Sequence, residues 1–245
     1  MLKKITQSNF LHQVKNDHYP MNCKRGLNTY FKKLRGLKMH CRALQAGKRK
    51  DLAFLDSGAG HGYFLHALCS KSVLVKQIKS VTGLSFHNFP SLSRLFGSLK
   101  DKLSWYTGFA EVILPGLESE TLDVITDMYG PFAYSFDKPL IIQNYYRLLK
   151  SGGKAFVYLS HKMTSVIENM HKYPSYVEML CKKCPNNFKR CGHTLVITKT
   201  STKFPAPICD VRRVSVDEAR KTGIFYPQVS VLYNVALDKA MKKLT

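Results

Sequence analysis

The stretch LAFLDSGAGHG, residues 52–62, constrains this chain more than any other. Leu52 to Leu55 form a short apolar run closed by Asp56, which fits a buried strand. Gly58, Gly60 and Gly62 then fall on alternate positions, and YFLHALCS continues as a helix. A strand, a glycine turn and a helix in that order open a βαβ unit. Its turn lies beyond the carboxyl end of the strand, where bare backbone lets a ligand approach closely.

The rest of the chain repeats the alternation. SVTGL reads as a second strand, and Pro90 suits the first turn of a helix that lines up Leu92, Leu95, Phe96 and Leu99. LSWYT and TLDVITD are the third and fourth strands, KPLIIQNYYRLLKSGG a helix closing on two glycines, and KAFVYLS the fifth strand. Such alternation predicts an α/β protein with a parallel sheet, right-handed crossovers and helices on both faces. Beyond residue 161, SVIENMHKYPSYVEMLCKK predicts a helix interrupted at Pro174, and HTLVITKT and QVSVLYNVAL read as two more strands. The organisation expected is a basic helical extension over residues 1–50 and one domain over 51–245.

The extension carries much of the charge. Leu27, Tyr30, Phe31, Leu34, Leu37, Cys41 and Leu44 recur at helical spacing, which predicts one helix docked by its apolar stripe. Lys32, Lys33, Arg35, Lys38 and Arg42 fall on the opposite side. With 38 Lys and Arg against 16 Asp and Glu, the formal charge is +22, a field that attracts RNA or another acidic surface. The blander account is a solvated helix face.

No stretch has the roughly 20 apolar residues of a membrane span. The basic start lacks the apolar centre of a secretory signal, and seven cysteines make an odd count for a disulfide framework. The expected compartment is the cytoplasm.

Spacing also limits what the glycine turn can hold. A dinucleotide loop, G-x-G-x-x-G, needs a third small residue at position 63, where this chain has Tyr63. A carboxylate at the end of the strand suits a cationic ligand better than a pyrophosphate. FLDSGAGHG resembles the first motif of the class I S-adenosylmethionine-dependent methyltransferases, an acid followed by G-x-G-x-G. ETLDVITDMYG is similar to the family's fourth-strand motif, and YYRLLKSGGKAFVYL to its R-x-L-K-P-G-G helix and fifth strand, so the likeness spans residues 52–160.

The resemblance implies a three-layer α-β-α sandwich with seven strands in the order 3-2-1-4-5-7-6, the last antiparallel, and HTLVITKT and QVSVLYNVAL as outer strands. It also implies S-adenosylmethionine as cofactor. Asp56 would orient the methionine ammonium, Gly58, Ala59, Gly60 and Gly62 would wrap the ligand, and Asp127 and Met128 would lie at the methionine end. Where the family has a ribose-binding acid this chain has Ser85, with His87 or Asn88 as possible substitutes. Phe109 replaces the acid that holds the adenine amine, which leaves Ala110 and Glu111 for that place, and Ser151 replaces a proline.

Methyl transfer from a sulfonium is an in-line displacement, so few catalytic side chains are obligatory. DMYGPFAYSFD lacks the Asn/Asp-Pro-Pro-aromatic and Pro-Cys signatures of two nucleic-acid-modifying subclasses. Tyr129 and Tyr134 are candidates to flank or polarise an acceptor, with core packing as the alternative, and His61 in the loop is ambiguous in the same way. Cys181, Cys184, Cys191 and His193 have zinc-type spacing, but thiols packed as small hydrophobes are the simpler expectation. The function expected is a methyltransferase acting on a macromolecule, RNA or protein. A small-molecule methyltransferase and a non-catalytic binding protein on the same scaffold are the alternatives.

Overall fold

The computed structural model describes residues 25–85, 97–159, 176–205, 217, 221 and 228–242. Seven strands form one sheet in the order β3-β2-β1-β4-β5-β7-β6. They are β1 (Leu52–Asp56), β2 (Ile78–Ser85), β3 (Leu103–Thr107), β4 (Leu122–Asp127), β5 (Leu149–Tyr158), β6 (Phe188–Cys191) and β7 (Thr194–Thr198). The first five are mutually parallel, and β7 runs antiparallel to both its neighbours. This is the topology expected of the class I methyltransferase fold.

The helices are α1 (Leu27–Lys33), α2 (Leu37–Ala46), α3 (Tyr63–Lys71), α4 (Ala110–Ile113), α5 (Pro131–Tyr134), α6 (Lys138–Leu148), α7 (Tyr176–Lys183) and α8 (Gln228–Met241). Successive strand residues point to opposite faces. Phe54, Val124 and Phe156 join one core with α1, α2 and α3, while Leu55, Ile125 and Val157 join the other with α6 and α7. No helix among the described residues is long and apolar enough to cross a membrane.

Two expectations are corrected. The N-terminal stripe makes two helices, because Gly36 turns the chain at φ 91° and becomes the N-cap of α2. The stripe itself is right, since Tyr30, Leu34, Leu37, Cys41 and Leu44 are all buried. QVSVLYNVAL is not a strand but the larger part of α8. Its buried Tyr233, Asn234, Ala236 and Leu237 follow helical spacing, and a short apolar run alone does not separate the two periods. The outer place goes to β6, whose FKRC pairs with β7 in a hairpin. The helix expected from Pro90 to Leu99 lies largely outside the described residues, as do His87, Asn88 and the part of the predicted 165–183 helix before Tyr176.

Candidate functional site

The loops that follow β1 and β4 lie against each other at the carboxyl edge of the sheet. A Cβ on Gly58 would come within 2.7 Å of Gly130 Cα, and one on Gly130 within 2.3 Å of the Ser57 carbonyl oxygen. Only glycines allow this approach. The Ser57 N–H donates to the Thr126 carbonyl at 2.7 Å and that of Ala59 to Leu84 at 3.0 Å, which ties the β1 turn to both neighbouring strands. Gly60 and Gly62 take left-handed backbone, φ 53° and 78°, and Gly62 starts α3.

Asp56 is fully buried at the end of β1. Its Oδ2 accepts the Tyr30 hydroxyl at 2.7 Å and its Oδ1 that of Thr126 at 2.9 Å. Tyr30 is held in turn by its ring, stacked on Phe64 with centroids 3.9 Å apart. Helix α1 therefore covers the strand-1 acid, and just before it Arg25 Nη2 donates to the Gly58 carbonyl at 2.7 Å. Burial pushes Asp56 up to about 7, against the lowering effect of Tyr30 and Arg25.

Asp127, at the end of β4, is buried as well. Its Oδ1 accepts the Gly130 N–H, and its Oδ2 accepts the Phe132 N–H and, at 2.7 Å, the Tyr145 hydroxyl. These bonds shape the turn into α5. Burial raises Asp127 to about 6 even so. Met128, next in the chain, is fully buried.

Tyr129 adopts φ 57°, an unusual backbone for an aromatic residue. Its ring packs on Tyr158 at 4.9 Å, with the Arg25 guanidinium 5.7 Å from its centroid. Burial and a hydrogen bond with Tyr158 raise its phenol to about 12, so at neutral pH it is a donor and not a base. The Tyr134 ring is stacked on Tyr233 of α8 at 6.2 Å, while its phenol is near enough to Tyr129 to add to the upward shift. The rings of the two tyrosines singled out in the sequence thus pack on different neighbours.

Further along the carboxyl edge of the sheet, Ser85 is buried where β2 ends, and its carbonyl accepts the Gly108 N–H at 2.9 Å. Phe109 and Ala110 are also buried, with Phe109 edge-on to Tyr233 at 5.3 Å. Glu111 Oε2 accepts the Tyr233 hydroxyl at 2.5 Å. Of the two residues at the candidate adenine position, Glu111 is therefore a buried carboxylate held by Tyr233 of α8.

The cysteine cluster does not converge. Cys181 on α7 and Cys184 just after it lean on the core, Cys191 ends β6, and His193 stands exposed in the hairpin turn, 6.3 Å from the Tyr158 ring. Among the described residues no three potential ligands are placed to hold a metal ion.

Tyr30, Arg25, Thr126 and Tyr158 were not singled out by sequence as site residues. Tyr30 carried a signal only as part of an apolar stripe, and the partners of Arg25 and Tyr158 depend on the fold.

An acid-ended first strand, a glycine turn and the 3-2-1-4-5-7-6 sheet together define the class I methyltransferase fold. No protein-family model matches this sequence, and none of the curated proteins does. Solved structures to which the chain is similar match it at low identity. A Methanococcus maripaludis protein provisionally assigned as an S-adenosyl-L-methionine-dependent methyltransferase is 17% identical over 83% of this chain and 97% of its own, with TM-score 0.43. The Burkholderia thailandensis 1,6-didemethyltoxoflavin-N1-methyltransferase, solved with 1,6-didemethyltoxoflavin and S-adenosylhomocysteine, is 13% identical over 80% of this chain and 87% of its own, with TM-score 0.44. YcgJ from Bacillus subtilis is 17% identical over 62% and 69%, with TM-score 0.40.

Proposed function

We propose that this protein is an S-adenosylmethionine-dependent methyltransferase whose acceptor is a macromolecule. The observation that carries the reading is the pair of buried carboxylates, Asp56 and Asp127, at the ends of adjacent strands β1 and β4 beside a turn built from glycines. Both acids are raised by burial, so a cationic ligand placed there stabilises the ionised form that the fold alone disfavours. The methionine end of the cofactor, with its ammonium and sulfonium, has that charge. The adenosine end fits less fully, since Ser85 offers a hydroxyl where two acceptor oxygens would serve a ribose better.

When bound, the cofactor supplies an electrophilic methyl on sulfur. The chain's part is positional. Asp56, with Tyr30 and Thr126 donating to it, sets the charge at the methionine end, and Gly58, Ala59, Gly60 and Gly62 form the wrapping turn. Asp127 fixes the turn carrying Met128 and Tyr129, and Ala110 with Glu111 borders the adenine position. Tyr129, its phenol raised by burial, offers a neutral donor at the edge where an acceptor enters, with the Tyr158 ring packed beside it.

Titration calorimetry with S-adenosylmethionine and S-adenosylhomocysteine tests this reading. Heat of binding that disappears in Gly60→Leu is the expected result, because φ 53° strains any side chain there and the leucine takes the ligand's volume. Absence of heat for the native chain ends it. A second reading is favoured by the cover over Asp56 and by Ser85: a non-catalytic binding protein on this scaffold. Transfer of labelled methyl in extracts split into RNA, protein and small-molecule fractions decides between them and identifies the acceptor.

A further inference from the structure

Helix α2 runs from the carboxyl edge of the sheet to its amino edge. At its start, Gly36 lies against Phe156 near the end of β5, and the Arg35 N–H donates to Thr194 Oγ1 at 2.9 Å. At its end, the Leu44 carbonyl accepts Gln77 Nε2 at 3.2 Å, beside the start of β2. Leu37, Cys41 and Leu44 face the core, so Lys38, Arg42 and Gln45 share one outer flank at spacings of four and three.

That flank leads into a groove. Gln45 and Lys48 form its wall together with Lys50, Lys76 and Lys79, and its volume is about 670 Å³. At the opposite end of the row, Lys33 stands 5.7 Å from the Tyr158 ring, next to Tyr129. Exposed cations on α1, on α2 and around the groove, Lys33, Lys38, Arg42, Lys48 and Lys76 among them, thus lie between the aromatic pair beside Asp127 and the amino edge of the sheet. Among the described residues Lys38, Arg42, Lys48, Lys50, Lys76 and Lys79 form no ion pair with a carboxylate. Burial and the nearby cations Lys154 and Arg49 hold His40, on the same helix, down to about 4.

We propose that the exposed cations on α1, on α2 and around the groove form a track for single-stranded RNA, which delivers its bases to Tyr129 and Tyr158. The inference rests on the methyltransferase reading only for what happens at that end. Helix α2 is about 15 Å long, so helix and groove together span several phosphates. The groove has the volume of a small-ligand pocket, which admits a few nucleotides and not a duplex. Its lysines match phosphates, while Gln45 and Asp51 supply acceptors of the kind a 2′-hydroxyl can use. The paired tyrosines at the far end offer π-faces for stacking. A concave groove lined by lysines fits a flexible chain better than a flat bilayer.

The experiment uses the full chain and fluorescein-labelled single-stranded RNA of mixed sequence, with anisotropy read across a salt series. One variant carries Lys38→Gln, Arg42→Gln, Lys48→Gln and Lys76→Gln. A second loses the same charge off the track, at the exposed Lys182, Lys183, Lys189 and Lys203. The track variant is expected to lose about 30-fold or more in affinity near 0.1 M salt and to flatten the slope of log K against log salt by about 2 to 3. The control is expected to change less than about threefold. Equal losses in both variants overturn the track in favour of diffuse charge. Equal binding of DNA of the same sequence overturns the assignment to RNA, and stronger track-dependent binding to phosphatidylserine vesicles overturns nucleic acid altogether. Calorimetry with S-adenosylmethionine on the same proteins reads the cofactor site separately, so a failure there removes the enzyme reading and leaves the RNA result standing.

Discussion

The Tyr30 hydroxyl donates to Asp56 Oδ2 at 2.7 Å, which joins a helix that precedes the sheet to the acid that ends its first strand. The bond lowers the Asp56 pKa against the upward push of burial. Tyr30→Phe removes the donor and keeps the ring that stacks on Phe64. Cofactor affinity at neutral pH is then expected to fall, and the pH at which binding reaches half its maximum to move upward, with a stability loss of about 1 kcal/mol. Calorimetry over a pH series checks this. Tighter binding with an unchanged pH curve would mean that Tyr30 is a plug and not a charge-setting partner.

Asp56 itself makes stability depend on pH. Its folded-state value of about 7 lies above the ordinary 3.8, so between those values the folded chain holds a proton that the unfolded chain has lost. Stability from this group is complete below that window and is lost as pH rises through it. Asp56→Asn removes the titration and keeps the shape. The variant's Tm minus that of the native chain is expected to grow by several degrees from about pH 5 to about pH 8. His40, held near 4, titrates in the opposite sense but is common to both proteins and cancels. A difference that stays flat with pH would contradict the burial argument.

Gly130 is the tighter half of the contact between the two loops. Its added Cβ would meet the Ser57 carbonyl oxygen at 2.3 Å and Asp127 Oδ1 at 2.7 Å, whereas that of Gly58 meets Gly130 Cα at 2.7 Å. Gly130→Ala is expected to destabilise by about 2 to 3 kcal/mol, and Gly58→Ala by less. Urea unfolding measures both. The reverse order would show that the β4 turn yields more easily than the β1 turn.

Trp105 is the single tryptophan of the chain, and its ring lies over Gly83 in the neighbouring strand. A Cβ on Gly83 would fall 2.3 Å from that ring. Gly83→Ala therefore displaces the indole toward water. A red-shifted emission and a loss of about 1 to 3 kcal/mol are expected, both read in one fluorescence denaturation curve. An unshifted spectrum would refute the contact.

The sequence made the sheet legible wherever a strand was buried on both faces, as in LAFLD and TLDVITD. It misjudged QVSVLYNVAL, because only packing of Tyr233 against Phe109 and Glu111 selects the helical face of that run. FKRC was hidden for the opposite reason: two exposed cations within four residues mask a strand whose pairing comes from β7. At the site, Asp56 and its glycines could be read from their order, since their roles are local. The partners Tyr30, Arg25 and Tyr145 could not, because each reaches its contact across a sequence separation of 18 to 33.

The segment between α1 and α2 is fastened at the far end of the fold. Thr194 Oγ1 accepts the Arg35 N–H at 2.9 Å and donates to the Lys33 carbonyl at 3.2 Å, across sequence separations of 159 and 161. During synthesis the chain emerges from its amino end, so this latch waits until the β6–β7 hairpin has left the ribosome. The helix that covers Asp56 is therefore made well before the residue that anchors its far end.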